Sequence, residues 1–170
     1  MKNRTKLILA VIVMMVSATA TQAQATASAT ATATIVSPIS ITKTVDMNFG
    51  NVAVQTSTGG TVILTPASAR SATGGVTLPA VTGTVAAAEF DVEGEGTYTY
   101  AITLPSGALT ISSGSNNMTV ETFTSTPSGT GALTAGAQTL YVGATLNVAA
   151  AQASGVYVSG TPFNVTVNYN

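Results

Sequence analysis

Phe163-Asn164-Val165-Thr166-Val167-Asn168-Tyr169-Asn170 alternates apolar and polar residues without a break. Successive side chains of an extended chain point to opposite faces. Phe163, Val165, Val167 and Tyr169 therefore share one face, and Asn164, Thr166, Asn168 and Asn170 the other. Four large side chains on one face need a core to bury them. The segment is expected to be a strand built into a sheet, not a frayed end.

Working upstream, the same period of two runs through almost everything from residue 26, and no amphipathic helix appears. Thr26 to Ile35 alternates Ala with Thr or Ser, and its odd-numbered face continues through Ile39, Ile41, Val45, Met47 and Phe49. Pro38 cannot donate to a ladder, so an edge strand or a bend is expected there. Val52 and Val54, Thr61 to Leu64, Val76 to Leu78, Val85 to Val92 and Thr97 to Leu104 follow as strand candidates. Ala108 to Ile111, Met118 to Phe123, Thr139 to Val148 and Gly155 to Tyr169 complete the series. Gly59-Gly60 and Gly74-Gly75 suggest two strands with a loop around Ser68-Ala69-Arg70-Ser71. Ser125 to Gly131 reads as the clearest flexible connection. The pattern predicts an all-β protein, an antiparallel sandwich of about eight to ten strands.

Residues 1–25 read as a cleaved signal peptide. Lys2, Arg4 and Lys6 precede an apolar run from Leu7 to Val16, and Ala23-Gln24-Ala25 matches a small-x-small cleavage site. The run is too short to span a membrane, which needs about 20 residues, so no transmembrane segment is expected in the mature chain. An uncleaved anchor is the alternative, disfavoured by the small polar residues after Val16. The expected organisation is residues 1–25 as signal, 26–34 as an Ala/Thr-rich extended leader and 35–170 as one domain. Export through the periplasm to the cell surface or the medium follows.

Removing that segment leaves Lys43 and Arg70 against six acids: Asp46, Glu89, Asp91, Glu93, Glu95 and Glu121. An acidic balance excludes nucleic-acid binding through a basic footprint. Charged residues are only 6% of the chain, against about 25% in an average domain. So little charge gives weak colloidal protection and favours association, as in a subunit whose surface is covered in an assembly.

Cys and His are both absent. Disulfides, thiol chemistry and a Ser-His-Asp arrangement are therefore impossible. Glu89, Asp91, Glu93 and Glu95 fall on one strand face at steps of about 6.6–6.8 Å, too far apart on a straight strand to converge on one cation. They read as an acidic wet face that discourages wrong edge pairing. Glycoside hydrolysis would need paired carboxylates in an aromatic cleft, and the chain has no Trp. No catalytic residue, cofactor site or metal site is expected.

The remaining constellation is the N-terminal alternation. An extended segment with one apolar face can add a strand to a neighbour's exposed sheet edge. Its alanines contribute little to filling a groove, because each buried CH₂ is worth about 0.8 kcal/mol. Ile35, Ile39 and Ile41 are stronger plugs, and they serve equally as the domain's own first strand. The candidate assembly residues are thus Ile35, Ile39, Ile41, Phe163, Val165, Val167 and Tyr169.

Several short motifs recur in one known order: Met47-Asn48-Phe49-Gly50, Thr73-Gly74-Gly75-Val76-Thr77-Leu78, Phe90-Asp91-Val92-Glu93-Gly94, Gly143-Ala144-Thr145-Leu146, Gly155-Val156-Tyr157 and the C-terminal alternation. In these the chain resembles the bacterial domain of unknown function family 4402, which is distantly similar to fimbrial adhesin subunits and spore coat protein U. The resemblance implies an immunoglobulin-like sandwich and a surface or appendage role. It also raises a periplasmic chaperone and usher as partners, since Tyr169 matches the penultimate aromatic of subunits delivered that way. Tyr157 stands where those subunits carry a glycine, with Gly155 and Gly160 beside it. The expectation is a non-enzymatic exported structural subunit of a fimbria-like appendage or coat, self-assembling by β-strand exchange. The alternative is a monomeric secreted module binding a carbohydrate or matrix surface.

Overall fold

The computed structural model describes residues 24–170. Residues 24–35 form one unit and Val36–Asn170 another. The first holds no strand, and every one of its described residues is exposed. The signal-peptide reading falls on residues 1–23, which lie outside the described residues, and on the first two positions of this unit.

The second unit is all β, with thirteen strands among the described residues. The chain runs β1 (Ser40–Val45), β2 (Ala53–Val54), β3 (Gly60–Leu64), β4 (Arg70–Gly74), β5 (Val76–Thr77), β6 (Ala88–Glu93) and β7 (Thr99–Thr103). It continues with β8 (Leu109–Ser113), β9 (Asn116–Thr126), β10 (Thr130–Ala132), β11 (Ala137–Val148), β12 (Val158–Ser159) and β13 (Thr166–Tyr169). The antiparallel β-sandwich expected from the alternation is the observed architecture.

The 12-residue strand β11 is its axis. One of its edges pairs with β6 along Ala137–Val142 and then with β3 along Ala144–Val148. Between them Gly143 lets the chain pass Leu64, since a Cβ there would lie 2.2 Å from the Leu64 carbonyl oxygen. The other edge of β11 pairs with β9, through a bulge where Thr122 takes a positive φ of 52°. An eight-stranded sheet results, in the order β1-β6-β11-β9-β8-β12, with β3 and β4 joined at β11.

A second layer covers this sheet in two pieces: β10-β7-β13 and β2-β5. Under the first lie Phe90, Val92, Tyr100, Leu140, Val142 and Val167. Under the second lie Val62, Val76, Val120, Ala144, Leu146 and Val148. Met47 and Phe123 pack against both clusters.

Three local expectations are corrected. The loop expected around Ser68 to Ser71 is shorter: Ser68 N–H donates to the Thr65 carbonyl at 2.9 Å, and Arg70 already pairs with Leu64 in the β3–β4 hairpin. Ser125 to Gly131 is no long flexible connection. Strand β9 runs through Thr126, and Thr130 opens β10 on the other layer, so these residues are a tight crossover between layers. The last strand is shorter than the alternation, because β13 pairs only Thr166–Tyr169 with Thr103–Tyr100 of β7. Strand β7 stops before Leu104-Pro105, and proline has no N–H to continue the ladder. Phe163, Asn164 and Val165 keep their alternating burial while belonging to no strand.

Candidate functional site

Where the second layer is interrupted, an apolar groove of about 1240 Å³ opens over the large sheet. Its floor is the inner face of β8, β9 and β11: Leu109, Ile111, Met118, Val120, Leu146 and Val148. Asp46–Val54 and Pro162–Val165 border it, and Val156 and Val158 stand in its lining at 82% and 62% exposure. A sandwich ordinarily closes such a surface with a strand, because apolar area left in water costs about 25 cal/mol per Å². Here that strand position is vacant among the described residues.

Each border is held from the domain side. The Arg70 guanidinium, through Nη1, donates to the carbonyl oxygens of Phe49 and, at 3.0 Å, Asn51. Gly50 makes this turn with φ 68°, and a Cβ there would meet the Thr82 carbonyl oxygen at 2.3 Å. On the other border, the Phe163 ring lies 5.1 Å from Phe123 and 6.3 Å edge-on from Phe90. Its rings fix Phe163 in place although no ladder does. The groove's only charges are Lys43 and Asp46, whose side chains pair at 2.7 Å in the open. Such an exposed pair contributes under about 1 kcal/mol, and it leaves the lining without net charge.

The candidate residues read from the sequence separate by their surroundings. Phe163, Val165 and Ile41 line the groove. Ile39 and Ile41 pack half-buried against the first core cluster; Ile41 lies within β1, whose ladder runs along β6, and Ile39 immediately precedes that strand. Ile35 is 96% exposed.

Val167 is buried in the core, and Tyr169 has a further role. Its hydroxyl accepts the Glu95 N–H at 2.6 Å and donates to the Ser37 carbonyl at 2.9 Å. Ser37 N–H in turn donates to Glu95 Oε2 at 3.1 Å. That backbone hydrogen bond, helped by the Ser37 hydroxyl, holds the Glu95 carboxyl below its ordinary value against a smaller opposing effect of desolvation. The Ser37 peptide is thus gripped on both sides, at the Tyr169 end of β13.

Sequence reasoning missed the groove floor. Leu109, Ile111 and Met118 sit in ordinary strand alternation, and nothing local distinguishes a covered inner face from an uncovered one. The stop signal at Leu104-Pro105 was the available clue, since it cuts β7 short of Phe163.

Glu89, Asp91 and Glu93 lie on β6, with Asp91 and Glu93 exposed and Asp91 accepting from Thr139 Oγ1 at 3.2 Å. Glu95 lies beyond the strand. Among the described residues no acidic group is gathered so as to hold a metal ion. No helix among them is long and apolar enough to cross a membrane.

No curated protein and no solved structure matches the chain. Residues 39–169 match the model of the family described as domain of unknown function DUF4402, from just before β1 to the end of β13. With most of its length inside that match, the chain belongs to the DUF4402 family.

Proposed function

We propose that this protein is an exported, non-enzymatic structural subunit of a surface appendage or coat, assembling by β-strand exchange. The observation that carries this reading is the uncovered apolar groove, bordered at Phe163-Asn164-Val165 by a segment of alternating burial that belongs to no ladder among the described residues. An added strand satisfies both demands at once, burying the floor and pairing the free backbone. A small apolar ligand would leave that backbone unpaired. The low charge of the chain, 6%, and the signal-peptide pattern of residues 1–25 support an exported, associating surface. A fimbria-like fibre delivered by a periplasmic chaperone and usher is the finer form of this proposal, resting on the family resemblance.

The exported protein, purified without heating, tests it. Electrophoresis is expected to give a ladder of oligomers that collapses to monomer on boiling, and electron microscopy to show fibres or a layer. A strictly monomeric protein across the accessible concentration range overturns the reading. It would move weight to a monomeric binding module, for which the exposed Tyr141 beside Thr126 and Pro66, in a depression of about 280 Å³, is the available surface.

A further inference from the structure

We infer that the groove accepts residues 26–36 of a second copy of this chain, in a one-way, head-to-tail contact. The inference rests on the strand-exchange reading and names its donor, acceptor and geometry. Four observations carry it.

The first is the vacant ladder. Phe163-Asn164-Val165 alternates in burial beside an apolar trough without belonging to a ladder, so the occupant that pairs with it is extended, with one face for the trough and one for water.

The second is supply. Residues 24–39 are the longest described run outside every strand; within it residues 25–34 alternate Ala with Thr or Ser, Ile35-Val36 follow, and neither Gly nor Pro occurs before Pro38. Threonine is β-branched and suits a strand, yet no strand is assigned within residues 24–36. Ile39 and Ile41, the other candidates, are committed to β1 and its surroundings.

The third is chemistry. Residues 24–36 bear no charged side chain, and the groove's one Lys and one Asp neutralise each other. A charged strand would be desolvated there without a partner. The Phe163 and Phe90 rings already occupy one wall, with Phe123 packed against Phe163. Small inward-facing alanines let a backbone lie against that wall without displacing the rings, and Ile35 supplies one large plug.

The fourth is geometry. Ser37, the root of the donor, is gripped at the Tyr169 end of β13, while the acceptor edge lies at Phe163. Phe163 and Tyr169 are six positions apart in the chain, about 20 Å where the chain is extended. The donor root and the Phe163–Val165 edge are therefore different places on one copy, although Ile41 and Lys43, shortly after the root, also line the groove. Such a contact is heterologous and continues as an open filament unless its rotation closes a ring.

Two variants, each crippled in one half of the contact, test this. Deleting residues 26–36 leaves an acceptor that cannot donate. Ile111→Arg on the groove floor leaves a donor that cannot accept. Val158→Arg, on a side chain already 62% exposed, repeats the block without touching packed core and guards against misfolding.

Each variant alone is expected to run as a monomer, and the deletion mixed with either groove variant as a 1:1 dimer that grows no further. A synthetic peptide of residues 26–36 is expected to bind the deletion variant and not the groove variants. If wild type forms ladders while the deletion variant also forms them, or while the mixture yields no dimer, exchange uses another donor or surface. That outcome overturns this inference and leaves the structural-subunit reading standing. A wild-type monomer, including one whose own leader fills its groove, overturns both.

Discussion

The hydroxyl of Tyr169 donates a 2.9 Å hydrogen bond to the carbonyl oxygen of Ser37, joining two residues 132 positions apart. The Tyr169 hydroxyl oxygen also accepts the N–H of Glu95 at 2.6 Å, so one phenol ties the last strand, the β6–β7 turn and the approach to β1. Gly94 is needed beside it, since a Cβ there would lie 2.3 Å from the phenol oxygen. Tyr98 packs edge-on against the Tyr169 ring at 5.6 Å.

Tyr169→Phe is expected to keep the ring contacts and lose both hydrogen bonds. The cost should be about 1–2 kcal/mol, because two backbone groups lose a partner at a half-exposed site. Urea unfolding measures it, and limited proteolysis near Ser37-Pro38 should quicken. Unchanged cleavage at that point would show that the phenol does not hold Ser37.

Acid should loosen the same clamp. The folded-state pKa of Glu95 lies below 4.5, mainly because of the Ser37 N–H. A lowered carboxylate contributes stability above its unfolded value and loses it as pH falls through the folded value. The loss is therefore expected below about pH 4.5, as a lower protection factor of the Ser37 amide relative to its intrinsic exchange rate. Glu95→Gln should remove the acid-dependent part of that change. An identical pH profile in the variant would assign the effect to other carboxylates.

Tyr100 tests the first core cluster. Its ring is fully buried, and its hydroxyl donates to Gln138 Oε1 at 2.7 Å. Burial raises the pKa of the phenol. Tyr100→Phe is expected to cost about 1 kcal/mol. Leu140→Ala, at a wholly buried site, should cost about 2–5 kcal/mol through lost transfer energy and the cavity left behind. Equal losses from the two substitutions would contradict the packing described.

Arg70→Met retains an unbranched apolar stem and removes the donor to the Phe49 and Asn51 carbonyls. A cost of about 1–3 kcal/mol is expected. The border of the groove should loosen too, read as weaker binding of the 26–36 peptide and faster amide exchange at Asn48–Asn51. Weakened stability with unaltered exchange there would leave Arg70 a general support of the fold.

Period-two alternation, together with the absence of any helical stretch, was enough to determine an all-β sandwich. Alternation reports which face is buried, and β11 shows this plainly: Leu140, Val142, Ala144, Leu146 and Val148 are all inward. It does not report partners. Phe163 and Val165 alternate as faithfully as Val167 and Tyr169, yet only the latter pair has a neighbouring strand, because β7 ends before Leu104-Pro105. Likewise Ile35, Ile39 and Ile41 share one face in sequence, and long-range pairing to β6 decides that Ile41 belongs to the domain and Ile35 to none of its ladders. The sequence by itself determined that these side chains seek cover. Only the tertiary structure decided which were covered from within and which face was left open, since a ladder is made between residues far apart in the chain.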